Sequence, residues 1–176
     1  MMMDYITGAL LILMKNKAYD RISIGEITEK AGVNRSTYYR HFETKESVIR
    51  YYYDKIMQEY MNEVHRRSVI DDESYLHIMF STFFEHKEDL LLIHQAGLSV
   101  FLLDVLLKWF HFDEIENLAS AEQQFKSSYH IGGIYSNMLL WFSHGMRESP
   151  KEMTSIAMSY RPERSMTLLN VGANPG

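Results

Sequence analysis

The sequence predicts an all-α protein, and three observations support this prediction. Apolar residues recur mainly at spacings of three and four, which is the period of a helix with one buried face. Few segments alternate apolar and polar residues in the period of two that a half-buried strand shows. The three prolines, which interrupt helices most strongly, all lie at or after position 150. Long helices are therefore permitted over most of the chain.

The first two helices are marked by an apolar face and by a capping signal. Helix one is predicted over residues 4–16, with its larger apolar side chains on one side. Ser23 stands three residues before Glu26, the spacing of a capping box in which each side chain satisfies a free amide at the helix start. A second helix is therefore predicted to begin after Ser23 and to end near Ala31.

A short turn separates the second helix from the third. Gly32 tolerates the left-handed conformation that closes a helix, and Asn34 is a good N-cap for a third helix over residues 35–41. Thr44 can cap a long fourth helix that reaches about residue 67. This fourth helix is predicted to connect the N-terminal part of the chain to the rest.

The remaining sequence predicts five further helices, separated by short breaks. They are expected from near residue 74 to a break at 85–87, and then over residues 88–95, 99–110, 119–144 and 150–158. Ser149, Pro150 and Glu152 give the last of them a cap, a favoured first residue and a capping-box partner. The tail from Arg161 shows no clear period.

Composition and charge narrow the function classes. The chain has no cysteine, which excludes disulfides, thiolate metal sites and a cysteine nucleophile. Its net charge of −5 is unevenly distributed. Residues 1–50 carry eight Lys and Arg against six Asp and Glu, whereas residues 51–176 carry ten against seventeen. A basic N-terminal part on an acidic body suits a protein that binds nucleic acid through that part.

No segment has the pattern of an export signal or a membrane anchor. Residues 1–4 contain no basic stretch ahead of an apolar run and a cleavage site. The longest apolar runs fall well short of the roughly 20 residues that a spanning helix needs. We expect a soluble, cytoplasmic protein with no membrane partner.

The segment from Ile22 to Glu46 carries the strongest functional signal. It predicts two short helices joined by a glycine-containing turn, which is a helix-turn-helix. The second helix of such a unit enters the major groove of double-stranded DNA, where its side chains meet base edges. The residues expected to bind DNA are Ser23, Asn34, Arg35, Ser36, Thr37, Tyr38, Tyr39, His41 and Lys45.

Within this set, residues 35–39 are expected to read the bases, and Ser23, His41 and Lys45 to hold phosphates. The phosphate role of Ser23 rests on the free amides at the start of a helix, which favour an anion. The aromatic side chains have a second interpretation as core packing, which applies most strongly to Phe42 and least to Tyr39.

At these positions the sequence closely resembles the TetR/AcrR family of transcriptional regulators. The resemblance rests on the isoleucine-rich second helix, Ala31-Gly32-Val33, Thr37-Tyr38-Tyr39, and His41-Phe42 followed by Lys45. It covers about residues 6–48. The segment from Tyr129 to Met153 also resembles the C-terminal domain of a TetR subgroup common in low-GC Gram-positive bacteria.

The resemblance implies a DNA-binding domain at residues 1–48 and a helical ligand-sensing and dimerisation domain at residues 49–176. It also implies a repressor that binds a palindromic operator as a homodimer and responds to a small-molecule effector. Two recognition helices must lie about 34 Å apart to enter successive major grooves. A modest pendulum motion of helix four would therefore end DNA binding.

The C-terminal part contains candidate residues for both of its implied functions. Methionine and aromatic side chains can repack around an apolar ligand, although each one is more typical of plain core. The candidate pocket residues are Met79, Phe83, Phe101, Tyr129 and Met138. Small residues allow a second helix to approach closely, or alternatively the two glycines break their helix. The candidate dimer-interface residues are Gly132, Gly133, Ser136 and Trp141.

A second hypothesis is a co-regulator that acts through a protein partner and binds DNA weakly or not at all. Many members of the family carry a run of Lys and Arg ahead of helix one, whereas only residues 1–4 precede it here. The acidic overall charge favours the same hypothesis.

Metal binding and catalysis are not expected. No pair of histidines has the i, i+4 spacing beside an acid that a helical zinc site shows, so we expect no metal or other cofactor. Residues 142–145 resemble a serine-nucleophile motif but lack its first glycine, and adjacent residues on a helix point apart. The sequence therefore favours a regulator over an enzyme.

Overall fold

The structure, a computed structural model, describes residues 1–67, 71–111 and 120–160. Every regular element in these ranges is helical, which confirms the predicted fold class. The α-helices are α1 Met2–Met14, α2 Ile24–Ala31, α3 Arg35–His41, α4 Lys45–His65, α5 Asp72–Glu85, α6 Lys87–Gln95, α7 Phe101–Trp109, α8 Ala121–Ser143 and α9 Pro150–Ser159.

The capping signals in the first part of the chain are confirmed. Ser23 and Glu26 form a complete capping box at the start of α2, and Gly32 ends that helix with a φ of 68°. Asn34 caps α3 by accepting a hydrogen bond from the Thr37 amide. Because a cap is made by residues three positions apart, these signals define helix ends with little help from the rest of the fold.

The N-terminal helices pack around the apolar face of α1, which contacts α2 and α4. Ile6 and Leu10 of α1, Ile27 of α2, and Val48 and Ile49 of α4 are all fully buried in one core. Burying side chains of this size stabilises the fold by roughly 1.5–3 kcal/mol each. The helix-turn-helix is therefore supported by a buried apolar core formed by α1, α2 and α4.

Helix α4 packs against α1 at its start and against α5 and α7 further along. On its α7 side, the Arg50 guanidinium donates to the Asp104 carboxylate at 3.0 Å. One turn later, the indole N–H of Trp109 donates to the Asp54 carboxylate at 2.7 Å. These two contacts fix the position of α4 along α7.

A second set of contacts holds α4 from the joint between α5 and α6. His86 at this joint lies 2.6 Å from the Glu59 carboxylate through Nε2 and 3.2 Å from the Tyr52 hydroxyl through Nδ1. The Tyr52 hydroxyl also donates to the Asp89 carboxylate at 3.0 Å. Helix α4 is thus held on one side by α7 and on another by the segment that joins α5 to α6.

Some helix boundaries differ from the predicted ones. Helix α1 begins at Met2, two residues earlier than expected. The predicted helix over 99–110 is divided, because Gly97 adopts a φ of 74° and a 3₁₀ turn over Leu98–Val100 precedes α7. Helix α8 begins at Ala121 with Ser120 as its cap. The predicted start at 119 and the tail from Arg161 lie outside the described residues.

Within the described ranges, no single helix combines the length and the apolar character needed to cross a membrane. The pair Lys87–Gln95 and Leu98–Trp109 reaches that threshold only when both are counted together, and the chain bends by 114° between them.

Candidate nucleic-acid interface

The start of α3 is held by a small hydrogen-bond cluster around Asn34. Its Oδ1 accepts from the Thr37 amide and from the Ser36 hydroxyl, both at 2.7 Å. The Ser36 O–H group donates its hydrogen bond to Asn34, so the lone pairs of the Ser36 oxygen remain available to a donor outside the protein. Asn34 is itself exposed, but its side-chain oxygen is already used twice inside the helix start. A DNA contact by Asn34 would have to use its amide NH₂ group.

Four residues of α3 form one exposed surface, which we call the α3 face: Arg35, Ser36, Tyr39 and Arg40. The Tyr39 side chain is 56% exposed, which is unusual for a large aromatic residue. The Arg35 guanidinium makes no hydrogen bond or ion pair with any described residue. The α3 face therefore presents two cations, a hydroxyl and an aromatic ring on a helix narrow enough for the major groove.

Two other predicted contacts lie beside the α3 face. Thr37 is half-buried, and His41 is exposed in the last turn of α3. Their roles stay predictions.

The prediction that Tyr38 reads DNA is wrong. Its side chain is fully buried, with its ring 5.5 Å from that of Tyr39 and 6.0 Å from that of Phe42. Burial, followed by the charge of Glu46, raises the pKa of Tyr38 to about 12. Tyr38 therefore packs the base of the helix-turn-helix and leaves Tyr39 as the ring that faces solvent.

The prediction that Lys45 holds a phosphate is also contradicted. Its ammonium donates to the carbonyl oxygens of Tyr19 at 2.8 Å and Ile22 at 2.9 Å. It also lies 4.3 Å from the centre of the Tyr19 ring, within reach of a cation–π contact. Lys45 thus closes the 3₁₀ turn over Tyr19–Arg21 against α4, and its charge is used inside the protein.

Ser23 lies at the exposed start of α2, beside the negatively charged carboxylate of Glu26. Its hydroxyl donates to the Glu26 carboxylate at 2.9 Å, and Lys17 pairs with the other oxygen of that carboxylate at 2.6 Å. The Lys17 hydrogen bond, followed by those from Ser23, lowers the pKa of Glu26 to about 2. An ionised carboxylate beside Ser23 opposes the approach of a phosphate. The phosphate role of Ser23 stays a prediction, and this charge disfavours it.

Gly25, the second residue of α2, is not among the residues predicted from the sequence. A Cβ atom built on Gly25 would lie 2.9 Å from Nη2 of Arg35 and 3.8 Å from its Cζ, so the guanidinium occupies the space that a side chain would need. The available signal was the glycine itself. A glycine inside a well-capped helix is disfavoured relative to alanine by up to about 1 kcal/mol, which indicates a packing reason.

The comparison with known families agrees with this geometry. Residues 6–52 match the model of the bacterial regulatory proteins of the tetR family, a range that runs from α1 into α4. Residues 6–52 form a TetR-family domain. The matched range contains the whole helix-turn-helix and the α3 face.

Two further proteins extend the comparison beyond the matched range. The chain is 27% identical over 163 residues to an uncharacterized HTH-type transcriptional regulator, YxbF, of Bacillus subtilis (strain 168). The match covers 85% of this chain but 42% of YxbF, so the chain spans about two-fifths of that relative's length. The structure is similar to that of the fatty acid degradation regulator FadR from Bacillus halodurans, with a TM-score of 0.54 at 16% identity over 90% of this chain and 91% of that one. This second likeness shows a shared fold.

In the C-terminal part of the chain, which we call the body (residues 49–176), the candidate pocket residues divide into two groups. Met79, Phe83 and Met138 are fully buried in the core, and Phe101 is half-buried beneath the Arg50 guanidinium, which lies 4.2 Å from its ring centre. Tyr129 is 84% exposed on α8. Its placement in a pocket is therefore wrong, because a side chain that faces solvent cannot line an internal cavity.

The candidate dimer residues divide in the same way. Trp141 is 1% exposed, and its indole N–H donates to the Glu148 carbonyl at 3.0 Å, so its assignment to a free surface is wrong. The rings of Phe80 and Phe84 pack against it. Gly132 and Ser136 are exposed and Gly133 is half-exposed, all within a continuous α8, so the glycines do not break this helix.

The exposed side of α8 carries more apolar surface than the small residues alone suggest. We call it the α8 stripe: Phe125, Tyr129, Gly132, Ser136 and Leu140. These residues recur at spacings of three and four, so they lie along one side of the helix. Phe125 is 76% exposed and Leu140 is 57% exposed. Tyr129 was predicted as a pocket residue, and Phe125 and Leu140 were not predicted from the sequence to be functional.

Proposed function

We propose that this TetR-family regulator is a repressor that binds a two-fold symmetric operator as a homodimer and leaves it when a small molecule binds the body. The observation that carries the proposal is the α3 face, which is polar, cationic and free of internal partners at Arg35. In the DNA-bound state, Arg35, Ser36 and Tyr39 contact bases or the adjacent backbone, and Arg40 and His41 contact phosphates.

The proposal divides the chain into two functional parts. Residues 1–48 form the DNA-binding part, and residues 49–176 form the part that dimerises and senses a ligand. Helix α4 begins in the first part and continues into the second. Because Arg50, Tyr52 and Asp54 bond to body residues, a rearrangement of the body is transmitted to the start of α4.

The α8 stripe is the proposed dimer interface. Two exposed rings and a leucine in one row are costly to leave in water, and association of two copies removes them from it. Gly132, at the middle of the row, has open space where a side chain would be, so two α8 helices can approach closely there. A two-fold axis through this point presents two identical α3 faces to a palindromic site.

The effector is proposed to be an apolar small molecule that enters the core of the body. Met79, Phe83 and Met138 are buried on α5 and α8, and α4 contributes Met57 and Met61 to the same core. Methionine side chains adapt to new neighbours because they are unbranched and flexible. Thermal denaturation with candidate apolar metabolites tests this part, and a set in which no compound raises the melting temperature would count against it.

The repressor proposal is tested by selecting bound duplexes from a random DNA pool with the purified regulator. The control is the double variant Arg35→Ala and Tyr39→Ala, which removes two side chains of the α3 face. We expect a two-fold symmetric sequence to be enriched by the unmutated protein and lost with the control. If no sequence is enriched at low salt, specific DNA reading by this chain is refuted.

A co-regulator that acts through a protein partner is the second candidate, and one observation favours it. Helix α1 exposes Tyr5 and Ile12 on either side of Gly8. These three residues form an apolar row on the outside of the DNA-binding part. The net charge of −5 also weakens attraction to DNA. Salt dependence separates the candidates, because each phosphate contact adds about 0.9 to the slope of log affinity against log salt.

A further inference from the structure

We propose that Gly25 is a positioning residue for DNA recognition: its missing side chain lets the Arg35 guanidinium rest on α2 and keeps that group in a defined place. The proposal deepens the DNA-binding role and rests on it. It concerns how the α3 face is organised before DNA arrives.

The packing of Arg35 on Gly25 is set by the helix-turn-helix itself. Arg35 is the first residue of α3, directly after the Asn34 cap, and Gly25 is the second residue of α2. The turn brings these positions together, and the Arg35 Nη2 atom lies 2.9 Å from the position of an added Gly25 Cβ, which is too close for the two atoms to coexist. Any other residue at position 25 would displace the guanidinium.

The contact is specific to Gly25 among the helical glycines described. Gly8 in α1 and Gly132 and Gly133 in α8 have open space, with no atom within 4 Å of an added Cβ. None of these three has a positive φ, and neither does Gly25, so backbone conformation does not require glycine at any of them. At position 25 the requirement comes from the Arg35 side chain.

A placed guanidinium favours binding because less conformational freedom is lost when DNA contacts it. Arg35 has four rotatable side-chain bonds and no hydrogen bond or ion pair to the described residues, so we assign its restraint to the close approach of its guanidinium to Gly25. Immobilising a side chain of this kind on binding weakens affinity by about three- to tenfold. Because Gly25 lets Arg35 be restrained before DNA binds, it reduces this loss of DNA affinity.

The decisive variant is Gly25→Ala, with Gly8→Ala as its matched control. Both replace a helical glycine by the best helix former, so neither is expected to lower stability. In Gly25→Ala the methyl group comes closer than 3.0 Å only to the far end of the flexible Arg35 side chain, and it meets the Ser23 hydroxyl oxygen at an ordinary 3.7 Å, so the guanidinium moves and the backbone stays. We expect Gly25→Ala to weaken binding to the selected duplex by about three- to tenfold and Gly8→Ala to leave it unchanged.

A double-mutant cycle separates this effect from a general disturbance of α2. In an Arg35→Ala background, Gly25→Ala has no guanidinium to displace, so its effect on DNA affinity should disappear. A Gly25→Ala effect of the same size in both backgrounds would overturn the positioning role, while the DNA-binding function would stand. Failure of the unmutated protein to bind any duplex would refute the proposed function separately.

A measurement without DNA tests the positioning role on its own. Nuclear magnetic resonance relaxation of the Arg35 Nε–H group reports how restricted the side chain is in the free protein. We expect an ordered Arg35 in the unmutated protein and in Gly8→Ala, and a mobile one in Gly25→Ala. Equal mobility of Arg35 in all three proteins would overturn the inference.

Discussion

The exposed faces of α3 and α8 are both free surfaces of single helices, but their chemistry is opposite. The α3 face has two guanidinium groups, a hydroxyl and one ring, and its Ser36 hydroxyl bonds to the Asn34 cap. The α8 stripe has two rings, a leucine and small residues, and carries no charge. The first suits a charged, hydrated partner such as DNA, and the second suits an apolar surface such as another α8.

The difference teaches that exposure alone does not identify a binding surface. Tyr39 and Tyr129 are both exposed tyrosines on helices, yet their neighbours give them different proposed partners. Tyr39 lies between Arg35 and Arg40, whereas Tyr129 lies between Phe125 and Gly132. Variants of the two surfaces should therefore change different properties of the regulator.

The largest effect is expected for Tyr129→Glu in the α8 stripe. Because a two-fold interface contains the residue twice, two unpaired carboxylates would be buried, at a cost of several kcal/mol each. We expect the dimer to become a monomer at micromolar concentration, as measured by sedimentation, and operator affinity to fall by more than about 100-fold. Gln123→Glu adds the same charge on α8 away from the stripe and should remain dimeric. A dimeric Tyr129→Glu protein would remove the stripe from the interface.

On the α3 face, Tyr39→Ala should weaken operator binding by about tenfold or more, since a good base contact contributes about 1–3 kcal/mol. The dimer should persist, and stability should change by less than about 0.5 kcal/mol because the ring is exposed. Binding to the selected duplex and to a scrambled one is measured by fluorescence anisotropy. An unchanged affinity for the selected duplex would show that the ring takes no part in binding.

Lys45→Met should destabilise the protein by about 2 kcal/mol, because two carbonyl groups lose a charged donor. Chemical denaturation measures this change. Lys30→Met, at an exposed position of α2, serves as the control and should have little effect. The salt slope of DNA binding should be the same for Lys45→Met and the unmutated protein. A slope smaller by about 0.9 would instead assign a phosphate contact to Lys45.

Tyr38→Phe should raise stability by about 1 kcal/mol, because the Tyr38 hydroxyl is buried without a hydrogen-bond partner among the described residues. DNA affinity should stay within about twofold, since position 38 faces the core. Tyr39→Phe is the matched control and should leave stability unchanged. A destabilised Tyr38→Phe protein would indicate that the hydroxyl has a partner in solution.

The smallest expected effect is a pH dependence at the start of α2. The pKa of Glu26 is lowered from 4.5 to about 2 by Lys17 and Ser23, so the folded state favours the ionised form. Its contribution to stability is complete above pH 4.5 and is lost as the pH falls from there toward 2. In Glu26→Gln, stability should fall less steeply over this range than in Glu29→Gln, which changes a neighbouring exposed carboxylate. Identical slopes in the two variants would contradict this role.

Much of the helix-turn-helix could be predicted because its signals are local. Ser23 with Glu26, Gly32 and Asn34 each act within three residues, and the structure places all of them as expected. The burial of Tyr38 had a weaker signal, since Phe42 lies one turn away on the same side. Deciding between Tyr38 and Tyr39 requires the packing of α3 on the rest of the domain, which spacing in a seven-residue helix does not determine.

The body was harder to predict because its contacts are long-range. Helix α8 has apolar residues on two sides, so its sequence does not show whether Tyr129 or Trp141 faces the core. That choice is made by the helices on which α8 packs, which are α6 and α7 and, at Trp141, the Phe80 and Phe84 rings of α5. Gly25 and Lys45 were misjudged for the same reason. Their partners, Arg35 and the carbonyl groups of Tyr19 and Ile22, lie ten or more residues away.

The contacts of Tyr52 give α4 the mechanics of a lever. The helix rises about 1.5 Å per residue, so the bond from Tyr52 to Asp89 lies about 10 Å from the start of α4 at Lys45. A 10° rotation about that fulcrum shifts the start of α4 by about 2 Å. With two such levers in a dimer, a small rearrangement in the body would be amplified into a mismatch with the 34 Å spacing of DNA grooves.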